Sequence, residues 1–305
     1  MAYRQAATAV AIAWIALLAV AMPAAGLSLA LGPLAIAALL FPLLALATPH
    51  LTRRGLAARR PRLVAAIGSA GMLAGVSLLG AITSYIIAAS TTGWADAQLI
   101  ALGGPLESWW PAYWRVFELN RWIGVPLGWA YLSIFFTPTL LAAAMAWRGQ
   151  QARLDRLVLA FALALLVTNA LFAFAPATSA GAHFLAPDDP LMPQPGFMHI
   201  AVIEALREGR LTTIDLGALC GLIAFPSFHA ATAVLFIWAS WTSGWMRFVF
   251  VPVNLMMLAA TPTTGGHYLI ECIAGILVAA SALGATRLAA HGPRIRWRAR
   301  AMAAT

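Results

Sequence analysis

Long, nearly unbroken apolar runs restrict what this chain can fold into. They fall near 6–24, 30–48, 63–89, 125–147, 157–175, 226–242, 248–263 and 268–288. Most are close to the roughly 20 residues that a helix needs to cross the hydrocarbon of a bilayer. Inside that layer each backbone amide must find its partner within the protein, which makes helices the reading for runs of this length. The rest of the composition agrees. With 62% hydrophobic residues, 10% charged residues and a mean hydropathy of +0.84, the chain lies far from a soluble domain, in which about 25% of residues are charged. We therefore read an all-α integral membrane protein with about eight transmembrane helices. The first run is long and leads into a second, so we read it as a span and not as a signal peptide. In a chain of 305 residues these spans leave no room for a large soluble domain. The two cysteines, Cys220 and Cys272, exclude a disulfide scaffold and a cysteine-built zinc module, and both are expected to be free thiols.

The 19 basic residues are all arginine, and they are not evenly spread. Fifteen fall at the amino terminus, in 53–62, in 148–156, at Arg247 and in 287–300; only Arg115, Arg121, Arg207 and Arg210 fall elsewhere. Short arginine-rich loops stay on the cytoplasmic side. That places both termini inside and the long segments 90–124 and 176–225 outside, in a multi-pass protein of the cell inner membrane. The net charge of +9 is then a topology signal and a contact with anionic lipid headgroups, and nucleic acid is not an expected partner. Three blocks follow: two amino-terminal spans with a basic cytoplasmic loop over 1–62, a six-helix bundle over 63–288, and a basic cytoplasmic tail over 289–305. The tryptophans of 90–124 suit an interfacial belt, and His199 to Arg210 suits a short amphipathic surface helix.

Ionisable groups within membrane spans are expensive and rare, and they mark function by default. Here they are His229, His267 and Glu271. His229 lies near the outer start of one span and His267 at the outer start of another. Glu271 is four residues beyond His267, on the same helical face. All three thus share one depth near the outer surface. Pro226, read as a first-turn proline, and Ser227 precede His229. The opening amides of that helix suit an anion, and Ser227 can add a hydroxyl. Gly265 and Gly266 precede His267 and let backbone approach a ligand closely. Two imidazoles at an anion pocket suggest phosphoryl transfer, in which one attacks phosphorus and the other protonates the leaving oxygen. Glu271 can accept the second ring N–H of His267 and fix its tautomer. We expect no metal and no cofactor. The different reading is a transporter or channel with the same three residues as a proton relay, but the spans show no inverted repeat and no paired broken helices.

The elements Pro226-Ser227-x-His229 and Gly266-His267-x3-Glu271 together resemble the type-2 phosphatidic acid phosphatase (PAP2) superfamily, closest to its inositol phosphorylceramide synthase-like branch. The resemblance spans roughly residues 80–285 and includes the tryptophan-rich stretch from Ile82 to Tyr131. It implies a six-helix core preceded here by two extra helices. It also implies a lipid phosphatase or phosphotransferase with a membrane lipid as substrate, His267 as nucleophile, His229 as general acid and Glu271 as orienting carboxylate. The sequence departs from the family pattern in three places. A Lys-x6-Arg-Pro motif cannot exist without lysine, and Arg53-x6-Arg60-Pro61, which imitates it, lies on the cytoplasmic side. Ala260 and Thr261 stand where the pattern has Ser-Arg. Glu271 stands where it has aspartate. Arg207 and Arg210 are the candidates for the missing phosphate-binding cations. His183 and His199 are expected as surface residues, and Tyr85 and Tyr131 as packing.

Overall fold

A computed structural model of the chain describes residues 2–30, 32, 60–185 and 197–291. The span expected at 30–48, Arg53, Arg54, Arg59, most of the proline-rich stretch before Phe197, and the arginine tail lie outside these residues.

Among the described residues, five helices are long and apolar enough to cross a membrane. They lie in α1 (Ala2–Ala24), α2 (Pro61–Ser90), α7 (Gln151–Phe172), α11 (Arg247–Thr264) and α12 (Leu269–His291). A further apolar stretch is a pair of helices bent at a break. Helix α5 (Arg121–Leu132) runs into a 3-10 turn (Ser133–Phe135), and α6 (Thr137–Trp147) leaves at a bend of 66°. Pro138 sits in the first turn of α6, and the residue before a proline resists continuing a helix. Helix α10 (Phe228–Trp241) is apolar but shorter, at 14 residues. The expected run at 125–147 is therefore two helices, because an apolar run carries no sign of where a helix turns.

Lipid tails are as apolar as leucine, so helices in a bilayer associate through close packing, for which small residues serve best. Helix α7 shows this. Its Ala160, Ala162 and Ala164 are fully buried between neighbours. One continuous buried cluster runs from Ala7 and Trp14 of α1 through Leu73 of α2 and Phe161 of α7 to Phe236 of α10 and Val278 of α12. Ile12, Leu17, Phe248 and Leu277 face outward, as side chains bathed in lipid would. At the arginine-rich end, Arg153 donates to the carbonyls of Trp238 and Ala239, which end α10. Arg156 donates to Thr286 Oγ1 and Leu283 O of α12. Both guanidinium groups lie over the Trp238 ring. Part of that arginine cluster thus caps the end of α10 and ties α7 to α12.

The opposite end carries the short elements. Helices α3 (Asp96–Gly103) and α4 (Trp110–Leu119) are joined by a 3-10 turn, and α8 (Ala180–Phe184) and α9 (Met198–Arg207) follow α7. Strand β1 (Ser28–Ala30), just after α1, pairs in parallel with β2 (Thr213–Asp215), which puts the end of α1 at the same end of the bundle as these short elements. Two expectations need correction. The tryptophans are not a uniform belt: Trp109 and Trp122 are exposed, but Trp110 and Trp114 are buried. His199 is not a surface residue. It shares the buried face of α9 with Ile203 and Leu206, and its Nε2 pairs with Ala177 O at 3.1 Å.

Burial holds the His199 ring neutral and pushes its pKa from 6.5 down to about 4, although the bond to Ala177 O pulls the other way. Between these values the unfolded chain takes up a proton that the folded chain refuses. The associated stability is complete above pH 6.5 and is lost as pH falls toward 4. Thermal unfolding in detergent should fall across that window, and His199→Gln should flatten the fall. Equal slopes for the two chains would contradict the assignment.

Candidate active site

Helix α12 begins at Leu269, so Glu271 is its third residue. Its Oε2 accepts the backbone N–H of Tyr268 at 3.1 Å, the reach of a glutamate that caps its own helix. The same oxygen lies 2.8 Å from His267 Nδ1. A carboxylate only accepts, so Nδ1 carries the proton and Nε2 keeps the lone pair. The capping reach gives a physical reason for glutamate where the family pattern has aspartate. Glu271 is fully buried and His267 is 6% exposed.

Ser227 caps α10: its hydroxyl oxygen accepts the N–H of Ala230 at 3.4 Å. The helix opens one residue later, so Pro226 precedes the cap and is not a first-turn proline. His229 is the second residue of the helix. The two motifs meet through backbone, since Ser227 N donates to Glu271 O at 3.0 Å. Gly275, one turn further along α12, permits this approach, because a Cβ there would lie 2.2 Å from Ser227 O. His229 and His267 lie within electrostatic range of each other.

Tyr131, which the sequence marks only as packing, stands between them. Its ring stacks on His229 with centroids 4.0 Å apart and planes 10° apart. A Cβ at Gly265 would meet Thr261 O at 2.7 Å, His267 Cδ2 at 2.8 Å and the Tyr131 hydroxyl at 2.9 Å. The glycine therefore makes room for these groups. Gly266 takes a φ of +68°, which turns the chain from α11 into His267.

Residues counted in the sequence only as outer charges or belt aromatics hold this turn in place. Both carboxylate oxygens of Glu107 accept amides at the start of α12, Leu269 N at 2.9 Å and Ile270 N at 2.8 Å. Trp110 Nε1 donates to Pro262 O at 3.1 Å and to His267 O at 3.0 Å. Asp96 accepts from the Tyr268 hydroxyl at 2.9 Å and from the Thr178 hydroxyl at 2.7 Å. Ala180 N bonds Gly266 O at 2.8 Å. Only their acidic or aromatic type was legible in advance, since their partners lie 82 to 172 residues away in sequence.

The remaining candidates are placed as follows. Ala260 and Thr261 are fully buried, and the Thr261 hydroxyl donates to Met257 O. The Arg207 guanidinium donates to Thr91 Oγ1 and Gly93 O and lies 4.3 Å over Trp94. Arg210 pairs with Glu208 on an exposed surface. Among the described residues, no contact joins either arginine to the histidines. Arg60 stands at the far end of α2, a helix of 30 residues whose other end leads to Asp96. At 1.5 Å per residue that is about 45 Å away along the helix. The Ser227 oxygen is used as a cap. Cys220 and Cys272 are free thiols. Among the described residues, no group of three or more His, Cys, Asp or Glu side chains is placed to hold a metal ion.

A buried carboxylate that accepts one ring N–H is an arrangement that can align the other ring nitrogen for attack. Glu271→Gln keeps the size but removes the charge and one of two matched contacts. It should slow phosphoester turnover by a hundredfold or more, as losses of orienting carboxylates elsewhere reach about 10⁴. Glu271→Asp keeps the charge and should cost less. Apparent substrate affinity should change little in both. A Gln variant with wild-type turnover would make Glu271 a packing residue.

Among curated proteins and among solved structures, no match to the chain is found. A family profile described as the PAP2 superfamily matches residues 97–285, from the segment that clamps the His267 turn to the end region of α12. That match covers well over half of the chain and contains both histidine motifs. The chain belongs to the PAP2 superfamily, and is thus of phosphatase or phosphotransferase type.

Proposed function

We propose that the protein transfers or hydrolyses a phosphoryl group of a membrane lipid through a phosphohistidine on His267. The observation that carries this reading is the 2.8 Å contact between His267 Nδ1 and the buried Glu271 carboxylate. It leaves Nε2 as the free nucleophilic nitrogen, with His229 nearby. Attack by Nε2 forms a P–N bond and breaks the P–O bond to the leaving group. The leaving oxygen takes a proton from the His229 imidazolium. Water or an acceptor hydroxyl then attacks phosphorus, His229 takes back a proton, and the P–N bond breaks. With water the protein is a phosphatase. With a hydroxyl of inositol phosphorylceramide-synthase type chemistry it is a phosphotransferase. The two imidazoles and the carboxylate each have a part in this sequence, so none is assigned to a metal.

The lipid is one of the outer leaflet of the inner membrane. The asymmetry of the arginines supports this, with the histidines at the arginine-poor end of the bundle and both termini cytoplasmic. Arginines at the cytoplasmic end meet anionic lipid headgroups.

Two experiments test the proposal. His229→Ala and His267→Ala should each abolish turnover while the protein still folds. Because both act in one covalent sequence, the double variant should be hardly worse than either single one. Near-normal rates in either single variant would contradict the mechanism. For orientation, in a Cys220→Ser background, Gly217→Cys should react with an impermeant thiol reagent in intact cells, and Ala152→Cys should not. The reverse pattern would move the site to the inner face.

A further inference from the structure

Tyr131 is the penultimate residue of α5, two residues before the 3-10 turn that breaks the α5–α6 pair. Irregular backbone at membrane depth is tolerated where it is enclosed by protein or lines a cavity, and a broken helix often borders a ligand site. The side chain is 8% exposed. Its ring is fixed by the stack on His229. Its hydroxyl and the Cδ2 edge of His267 both lie within 2.9 Å of the space that a side chain at Gly265 would fill. Cδ2 is bonded to Nε2, the nitrogen left free by Glu271. The phenol oxygen and this edge of the His267 ring therefore lie less than about 6 Å apart, close enough to face one phosphoryl group. Among the described residues this hydroxyl makes no hydrogen bond, so its O–H is open to donate to a ligand.

The chemistry of the site has a matching need. His267 supplies the nucleophile and His229 the proton. Neither serves the non-bridging oxygens of the phosphoryl group, where charge concentrates during transfer. Ala260 and Thr261 put no cation there, and Arg207 and Arg210 are engaged with other residues. We propose that the Tyr131 hydroxyl donates a hydrogen bond to a non-bridging oxygen of the phosphoryl group that His267 attacks. Tyr131 is then a substrate-binding residue of the reaction, with its ring also holding His229 in plane. This rests on the phosphohistidine reading given above.

Tyr131→Phe tests it, since the ring and its stack are kept and only the hydroxyl is lost. Turnover is expected to fall about tenfold or more, the effect of one donor removed from a charged acceptor. Inhibition by inorganic phosphate should weaken by a similar factor, while thermal unfolding stays as in the wild type. Unchanged turnover together with unchanged phosphate inhibition would overturn the assignment. The underlying reading has its own arm. His267→Ala that keeps its turnover would defeat the phosphohistidine step. Phosphate protection of the purified Tyr131→Phe protein against thermal unfolding still reads the hydroxyl directly, because no covalent step is involved. Protection equal to that of the wild type would count against Tyr131, and a clear loss would support it.

Discussion

A carboxylate with no exposed surface, set in a bundle this apolar, persists only where donors meet it from within the protein. Glu271 is held in that way. One of its oxygens takes the His267 ring and the cap amide of its own helix, and its backbone carbonyl takes the amide of Ser227. Three things are therefore settled by one residue: the tautomer of His267, the start of α12, and the docking of α10. The other oxygen, Oε1, has no partner among the described residues. Acceptor capacity thus remains in reserve next to the His267 imidazole.

The helices do not build this site alone. The segments between the spans fold down upon it with hydrogen bonds that are mostly made by side chains to backbone. Glu107 and Trp110 grip the first residues of α12 and the carbonyl of His267 from outside. Asp96 ties Tyr268 to the stretch after α7. Burial raises the pKa of the Tyr268 phenol, and the adjacent Asp96 carboxylate, which the phenol donates to, adds to it. The phenol therefore stays a donor. Such bonds are stronger away from bulk water, and a network satisfied throughout is rigid. The His267 turn is thus clamped from two directions, by its own helix and by the segments between the spans.

The sequence foretold this arrangement unevenly, and the reasons are physical. Among the described residues, hydropathy locates five long spans because length and apolarity are what a bilayer demands. It missed the break after Leu132, since Phe135 and Phe136 are as apolar as any helix interior, and only Pro138 hinted at a boundary. The three ionisable groups stood out because charge inside a span is rare. Tyr131 did not, because a tyrosine is ordinary in a membrane helix and its stack on His229 joins residues that are far apart in the chain. The charge and position of Arg207 suggest a phosphate ligand, yet its fork is occupied by Thr91, Gly93 and Trp94. His199 could have been read correctly. Ile203 and Leu206, four and seven residues on, mark a buried helical face that includes it.

The backbone contact at Gly275 has a consequence for how such a site travels between proteins. Between His229 and His267 lie a helix end, a turn and the whole of α11, yet none of these sets the distance between the motifs. Their register is fixed where α10 leans on α12, and there only the absence of a side chain at Gly275 lets Ser227 O come close. The intervening segment is free to lengthen or shorten, provided that α10 and α12 still meet. A pattern meant to find this architecture in other chains should therefore leave the gap between the motifs open. It should ask instead for a glycine four residues beyond the carboxylate.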